Sequence, residues 1–246
     1  MKEKVIGLIP ARMGSSRFPG KPIANINGFP MIYWVYKEAK QISEINELYI
    51  VTPDIEIKNI CDKYKMNCLF DEKQGNTAAQ KLAFTARTLD GTIYLNIQGD
   101  EPLLDSNELK KIITEMLDNK DSYYVGLYSH IKNKKDFNDR NNVKVVLDKN
   151  GNALYFSRSP IPEKFEYGKA NRVLGLYGYR DWFLEKFATI EKTQLESLES
   201  GIEMIRMLEY GYKIKLLYSE YNTIGVDLPS DIEKVETEML RRKGTR

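Results

Sequence analysis

Small and basic side chains are concentrated between Ile9 and Pro22, directly after the apolar run Val5–Ile9. This segment holds two glycines, two serines, two arginines and a lysine. Small residues let backbone N–H groups approach an anion closely, and clustered cations can neutralise a polyphosphate. Open α/β sheets bind ligands at a loop in this position. We therefore expect a phosphate-binding loop, although its spacing fits neither Walker A nor G-x-G-x-x-G. The alternative is a solvated basic surface loop.

Two aspartates stand where their carboxylates could meet that loop. Asp100 follows a stretch that is uncharged from Thr92 to Gly99, and Asp227 follows the short apolar segment that ends at Val226. A strand over residues 93–98 would place Asp100 at the same sheet edge as the basic loop. Two carboxylates beside a polyphosphate suit Mg²⁺, which takes few protein oxygens together with those of phosphates. For either aspartate alone, the alternative is helix capping.

The single histidine, His130, excludes any catalytic dyad or triad that needs a second histidine, and we interpret His130 as structural. The sequence agrees with a reaction that depends on positioning and charge neutralisation and not on a side-chain nucleophile.

Composition narrows the class of protein further. The 246 residues, 42% of them hydrophobic, suit one domain or one domain with a small subdomain. A net charge of only +2 argues against nucleic acid as a partner. Two cysteines, Cys61 and Cys68, predict neither a zinc site nor a disulfide framework. No signal peptide or membrane span is recognisable, so the sequence predicts a cytoplasmic protein without membrane partners.

Apolar periodicity predicts an α/β fold. Short apolar runs alternate with helical patterns up to about residue 122, which predicts a mainly parallel sheet covered by helices. From Tyr123 the pattern changes, and Asn150-Gly151 predicts a hairpin turn. Further along, Leu195–Tyr210 is predicted as one helix. We expect a single domain over residues 1–246, with an antiparallel excursion from the parallel sheet.

Four stretches resemble the acid-sugar cytidylyltransferases, and specifically the CMP-Kdo synthetases (Kdo is 3-deoxy-manno-octulosonate). They occur in the family's order and nearly span the chain. They are the loop Ile9–Pro22, the turn Asn96–Pro102, the segments Asn142–Leu147 with Ala153–Arg158, and Gly225–Pro229.

The resemblance implies a Rossmann-like nucleotidyltransferase fold and a homodimer. It implies an Mg²⁺-dependent cytidylyltransferase that moves CMP from CTP to a small acidic acceptor of the sugar type, Kdo or a relative, and releases pyrophosphate. Residues 1–122 would form the nucleotide-binding half, and residues 123–246 the acceptor-binding and dimerisation half. The implied catalytic residues are Arg12, Lys21, Asp100 and Asp227, the two aspartates also holding the metal. CTP would contact Arg12, Ser15, Arg17, Lys21, Gln98 and Arg158. The acceptor would contact Gln80, Lys81, Asn142, Tyr177 and Glu203.

The departures from the family pattern fall on the acceptor side. Gln80 and Lys81 stand where the family has Glu and Arg, Val173 replaces a histidine, and Met204 replaces a glutamine. Lysine cannot grip a carboxylate in the two-pronged way of arginine. Valine and methionine offer a polyol no hydrogen bond comparable to those of the expected side chains. We therefore predict that Kdo is not the best acceptor. Two alternatives stay open: another acceptor, such as a phosphorylated or phosphonate molecule, and a nucleotide-binding module without turnover.

Overall fold

The computed structural model describes residues 3–70, 78–220 and 225–244. The chain groups into two compact units, one formed by residues 1–110 with 222–246 and the other by residues 111–221. Within the described ranges, no helix is long and apolar enough to cross a membrane.

The first unit is built on four parallel strands. Strand β1 (Val5–Pro10) is followed by a 3-10 helix (Lys21–Ile23), by the short strands β2 (Asn25–Ile26) and β3 (Phe29–Pro30), and by α1 (Met31–Ala39), β4 (Glu47–Thr52), α2 (Ile55–Lys63), β5 (Cys68–Phe70), α3 (Ala78–Ala86) and β6 (Ile93–Asn96). Strand β1 pairs with both β4 and β6, and β4 pairs with β5. The order is therefore β6-β1-β4-β5. The run Val5–Ile9 is fully buried, as its unbroken apolar sequence predicts for a central parallel strand.

Helix α4 (Ser106–Asp118) leads from the first unit into the second, whose described strands form three antiparallel pairings and one parallel pairing. Its elements are β7 (Tyr124–His130), α5 (Lys134–Asn138), β8 (Lys144–Leu147), β9 (Ala153–Ser157), β10 (Asn171–Arg180), α6 (Asp181–Thr189), α7 (Gln194–Leu198), α8 (Met204–Glu209) and β11 (Lys215–Tyr218). Strand β7 pairs antiparallel with β10 and parallel with β11, while β8 pairs antiparallel with β10 and β9.

The closing helix α9 (Asp231–Gly244) belongs to the first unit. It contributes Val235 and Met239 to a buried cluster, and an Arg242 guanidinium N–H donates to the Leu103 carbonyl at 3.0 Å. The other buried members of that cluster are Ile26, Met31, Leu103 and Val226. Apolar packing therefore fixes the segment that carries Asp227.

One predicted element is wrong and another is confirmed. Residues 195–210 form two short helices instead of one, because Ser200 and Gly201 adopt left-handed backbone conformations with φ of 56° and 77°. The predicted hairpin is the pair β8 and β9, whose turn contains Gly151 at φ 81°. The division expected at residue 122 stays a prediction; by contacts the second unit begins at residue 111, and residues 222–246 group with the first.

Candidate active site

The basic loop is anchored at its amino-terminal end and is closed by a hydrogen bond between two of its own residues. Ala11 N–H donates to the Val51 carbonyl at 2.9 Å, and Met13 N–H donates to Asp54 Oδ2 at 2.7 Å. The Met13 carbonyl in turn accepts a hydrogen bond from Gly20 N–H at 3.0 Å. Asp54 precedes α2 and its side chain makes no capping hydrogen bond to that helix, so its carboxylate holds the loop instead.

Lys21 lies between the two predicted metal ligands. Its Nζ donates to Asp100 Oδ2 at 2.6 Å and to the Val226 carbonyl at 2.8 Å, and it lies 3.7 Å from Asp227 Oδ1. Arg17 grips the same Asp227 carboxylate with two N–H groups, at 2.9 and 3.2 Å. The structure therefore brings Asp100 and Asp227 together and balances their charges with two cations.

Backbone contacts hold each carboxylate in place. Val226 N–H donates to the Asp100 carbonyl at 2.9 Å, which joins the two aspartate segments. The N–H groups of Asp227 and Leu228 both donate to Asp231 Oδ2. The pKa of Asp231 is lowered, first by its hydrogen bond with Lys234 and further by these backbone donors, so its carboxylate stays charged. The positions of both aspartates are thus set before any ligand binds.

Gly99 allows the Asp100 turn to lie against the loop. A Cβ atom at this position would come within 2.9 Å of the Pro10 carbonyl oxygen and 3.2 Å of an Ile32 methyl group. Only glycine permits this close approach of two backbone segments without a shift. The site geometry therefore depends on glycine at this position.

A cavity of about 540 Å³ opens within the first unit beside these groups. It gathers most of the residues that the sequence assigned to the nucleotide, together with one assigned to the acceptor. They are Arg12, Ser15, Arg17, Lys21, Lys81, Gln98, Asp100 and Asp227. Gln80 lies on α3 but does not line the cavity.

Arg12 and Lys81 are two cations in this cavity whose charges have no carboxylate partner among the described residues. The pKa of Lys81 is lowered by burial and, to a smaller extent, by the positive charge of Arg12. The positive charges of Arg12 and Lys81 thus repel each other, and a bound anion would reduce that repulsion. This arrangement is suited to an anionic ligand.

The donor set fits a hard divalent cation. Among the described residues no group of three His, Cys, Asp or Glu side chains could hold a metal. Asp100 and Asp227 nevertheless lie close enough to contact one ammonium group, and carboxylate oxygens are the ligands that Mg²⁺ takes alongside phosphate oxygens. Both side chains are partly exposed, so a ligand can reach them.

The remaining predicted site residues belong to the second unit. Asn142 is held by its amide, which donates to the Asp136 carbonyl and accepts from Arg172. Arg158 donates to the Arg140 carbonyl at 3.0 Å. Tyr177 and Glu203 lie near the fully buried Tyr124. Burial is the main cause that raises the pKa of Tyr124, and electrostatic interactions with neighbours that include Tyr177 and Glu203 raise it further.

His130 also lies in this unit, where Asn171 contacts its Nδ1 at 2.9 Å.

The sequence did not identify Asp54, Thr85 or Asn96 as part of the site. Thr85 lies one helical turn after Lys81 and lines the cavity with it, so helical spacing from Lys81 could have indicated it. Asn96 ends β6 and also lines the cavity. Asp54 could not be identified, because a contact with Met13 leaves no local pattern in the sequence.

The fold and the site define a class of protein when they are compared with solved structures. A structure described as CMP:2-keto-3-deoxy-manno-octonic acid synthetase complexed with CTP superposes with a TM-score of 0.91, at 30% identity, covering 98% of this chain and 100% of the other. The chain therefore has the Rossmann-like nucleotidyltransferase fold, as expected.

Sequence comparisons show the family. A family profile described as cytidylyltransferase matches residues 6–218. The chain is 36% identical to a 3-deoxy-manno-octulosonate cytidylyltransferase of Trichlorobacter lovleyi, over 96% of this chain and 98% of the relative. It is 37% identical to an 8-amino-3,8-dideoxy-manno-octulosonate cytidylyltransferase of Shewanella pealeana, over 94% and 97%. The chain belongs to the cytidylyltransferase family, a family of enzymes, and its resemblance to the CMP-Kdo synthetases is confirmed.

Proposed function

We propose that this enzyme transfers CMP from CTP to 3-deoxy-manno-octulosonate or a related acidic sugar, releasing pyrophosphate, with Mg²⁺ as its metal. The convergence of Asp100 and Asp227 on Lys21, beside the basic loop, carries this proposal. A module that only bound nucleotide would not need both carboxylates at the cavity.

The chain's own cations suit the phosphates of CTP. Arg12, Ser15, Arg17 and Lys21 line one cavity, and Gln98 lies after the neighbouring strand. In the free enzyme Lys21 and Arg17 balance the two aspartates, and the phosphates offer them a second set of oxygens. Contacts that strengthen as negative charge develops on the departing pyrophosphate lower the barrier.

Asp100 and Asp227 would hold the Mg²⁺, which supplies further neutralisation of phosphate charge when it is bound. The acceptor's hydroxyl oxygen attacks the α-phosphorus in line with the leaving pyrophosphate. The protein's task is to orient these groups and exclude competing water, which is how positioning accelerates such transfers.

The acceptor residues are proposed to be Gln80, Lys81, Asn142, Tyr177 and Glu203, with Arg158 as an additional contact to CTP. Lys81 is the cation best suited to the acceptor's carboxylate, because it faces the cavity and has no carboxylate partner among the residues described. Relatives named for Kdo and for its 8-amino analogue are 36% and 37% identical to the chain, so overall identity favours neither acceptor.

Pyrophosphate release tests this function. Purified enzyme with Mg²⁺ and Kdo, or its 8-amino analogue, should release pyrophosphate with CTP much faster than with UTP, ATP or GTP, and mass spectrometry should detect the CMP conjugate. Chelation with EDTA should stop the reaction, and Mg²⁺ should restore it. Nucleotide binding without turnover on any acidic sugar would instead support the non-catalytic alternative. A homodimer in the cytoplasm stays a prediction, to be checked by light scattering and cell fractionation.

A further inference from the structure

Asn96 is a polar residue in a position that otherwise favours apolar ones. It is the last residue of β6, it pairs in register with Leu8 of β1, and only 6% of its surface is exposed. The three residues before it in β6 are a buried isoleucine, tyrosine and leucine. Its exposed remainder lines the cavity that contains Lys21 and Asp100.

The side chain of Asn96 makes no hydrogen bond to any residue that the structure describes, and its Oδ1 is shielded from solvent and without a partner. A buried amide in this state costs free energy that an apolar side chain of the same shape would not. Unsatisfied buried groups are rare in folded proteins, and a ligand is one of their explanations. The place of Asn96 in the cavity wall indicates a ligand.

The chemistry around Asn96 selects the part of the ligand it contacts. Asn96 is neutral, whereas the groups suited to phosphate in the same cavity are the cations of the basic loop. The lining of this cavity also includes the apolar residues Met31, Val51 and Leu82, which suit a base or a sugar ring. An amide acceptor beside apolar surface matches a nucleoside, which presents N–H and O–H donors on a largely flat framework.

We propose that Asn96 recognises the nucleoside of the bound nucleotide by accepting a hydrogen bond from it, after a rotation of the side chain that turns Oδ1 towards the cavity that the residue lines. The donor is either the amino group of the base or a hydroxyl of the ribose, which share this chemistry. The proposal rests on the proposed use of CTP and adds a specificity residue to it. Asn96 binds substrate here and takes no part in bond making.

The test replaces Asn96 by leucine, which has a similar shape and no polar atoms. Calorimetry would measure binding of CTP, UTP, 2′-deoxy-CTP and 3′-deoxy-CTP to the wild type and to Asn96→Leu. We expect the variant to melt at the wild-type temperature or above, because the amide that the substitution removes is unsatisfied in the ligand-free wild type. Its preference for CTP over one analogue should fall about tenfold, as expected for one lost hydrogen bond. If the preference for CTP over UTP falls, the donor is the amino group of the base. If the preference for CTP over a deoxy analogue falls, the donor is the ribose hydroxyl that this analogue lacks.

Tyr124→Phe is the matched control, because it removes another buried polar atom without a partner, from a residue of the second unit that does not line the cavity. Its nucleotide preferences should equal those of the wild type. Asn96→Ala repeats the measurement with a smaller side chain. Unchanged preferences in both Asn96 variants, or failure of both to fold, would overturn the proposal. Failure of the wild type to bind CTP would reject the proposed function instead.

Discussion

Lys21 is the residue at which the charges of the site meet. Only 11% of its side chain is exposed, and its ammonium contacts both aspartates and the Val226 carbonyl. A cation held this firmly needs little reorganisation to meet phosphate charge, which makes it effective in a transition state. Removing it also takes the ammonium group away from both carboxylates.

Lys21→Ala should lower kcat/KM for CTP by an amount equivalent to about 2–4 kcal/mol of transition-state stabilisation. Steady-state pyrophosphate release measures it. Lys58→Ala is the control, because it removes a lysine whose ion pair with Asp62 lies outside the cavity. Equal kcat/KM values for the two variants would show that Lys21 contributes no more to the reaction than Lys58, a lysine outside the cavity.

Asp100→Asn and Asp227→Asn should each reduce turnover about 10²-fold or more, because metal-assisted charge stabilisation is worth several kcal/mol. Both variants should fold, since the two side chains are 36% and 51% exposed. Asp62→Asn, which breaks an exposed ion pair elsewhere, should keep normal turnover. Near-normal rates in both site variants at saturating Mg²⁺ would contradict the metal assignment.

The lowered pKa of Lys81 predicts a pH dependence of anion binding. Burial and Arg12 disfavour the protonated lysine, whereas a bound anion favours it, so its contribution to affinity is present at low pH. That contribution is lost as the pH rises through the lowered pKa. Between about pH 7 and pH 10, KM for the anion that Lys81 contacts should rise in the wild type but less in Lys81→Arg, because arginine stays charged. If KM changed with pH in the same way in the wild type and in Lys81→Arg, for CTP and for the acceptor, this role of Lys81 would be excluded.

At the scale of elements, a buried ion pair joins α7 to α8. Arg206 contacts Glu196 through two N–H groups at 2.6 and 2.7 Å, and it donates to the Ile190 carbonyl at 3.0 Å. Both side chains are at most 3% exposed. The contact spans the break at Ser200 and Gly201, and it places Arg206 4.0 Å from the carboxylate of Glu203, the residue before α8.

Arg206→Met should destabilise the protein by about 3–5 kcal/mol, because it leaves the Glu196 charge buried without its partner. The double variant Glu196→Leu with Arg206→Met should recover much of that loss, since neither charge remains. Urea denaturation measures all three proteins. A single variant as stable as the wild type would show that the pair contributes nothing.

Local sequence signals were sufficient for the parallel strands and for the residues at their carboxyl ends. Apolar runs located β1 and β6. The composition of the basic loop indicated Lys21, and the ends of apolar stretches indicated Asp100 and Asp227. The break between α7 and α8 was missed because apolar periodicity continues through Gly201, whose left-handed conformation the pattern does not record. Asn96 was missed for a different reason: its significance lies in hydrogen bonds that it does not make, and these are visible only in three dimensions.

At the scale of the whole molecule, membership of the family does not determine which acceptor the enzyme uses, because relatives are named for different acceptors. Lys81 lines the cavity, while Val173 lies on β10 and Met204 begins α8. Sites built to hydrogen-bond a hydroxyl discriminate strongly, so we expect Val and Met in place of polar side chains to change which acceptor fits.

We therefore expect Kdo to be a poorer substrate than a related acidic sugar, with the 8-amino analogue as the first comparison. Steady-state kinetics at saturating CTP would measure kcat/KM for each acceptor. The substitution Val173→His should raise kcat/KM for Kdo if the side chain at position 173 contacts the sugar. A kcat/KM for Kdo of about 10⁴–10⁶ M⁻¹s⁻¹, equal to or above that of other acceptors, would contradict this expectation.

The division of the first unit into residues 1–110 and 222–246 has a consequence for how the protein is made. During translation the second unit, which is continuous in sequence, leaves the ribosome complete before the first unit can. Until residues 222–246 emerge, the cluster around Ile26 and Met31 lacks Val226, Val235 and Met239, and Lys21 lacks one of its two carboxylates. The apolar surface of this cluster therefore stays uncovered while the second unit is synthesised. The cavity beside Lys21 gains Asp227 only after the whole second unit has been made.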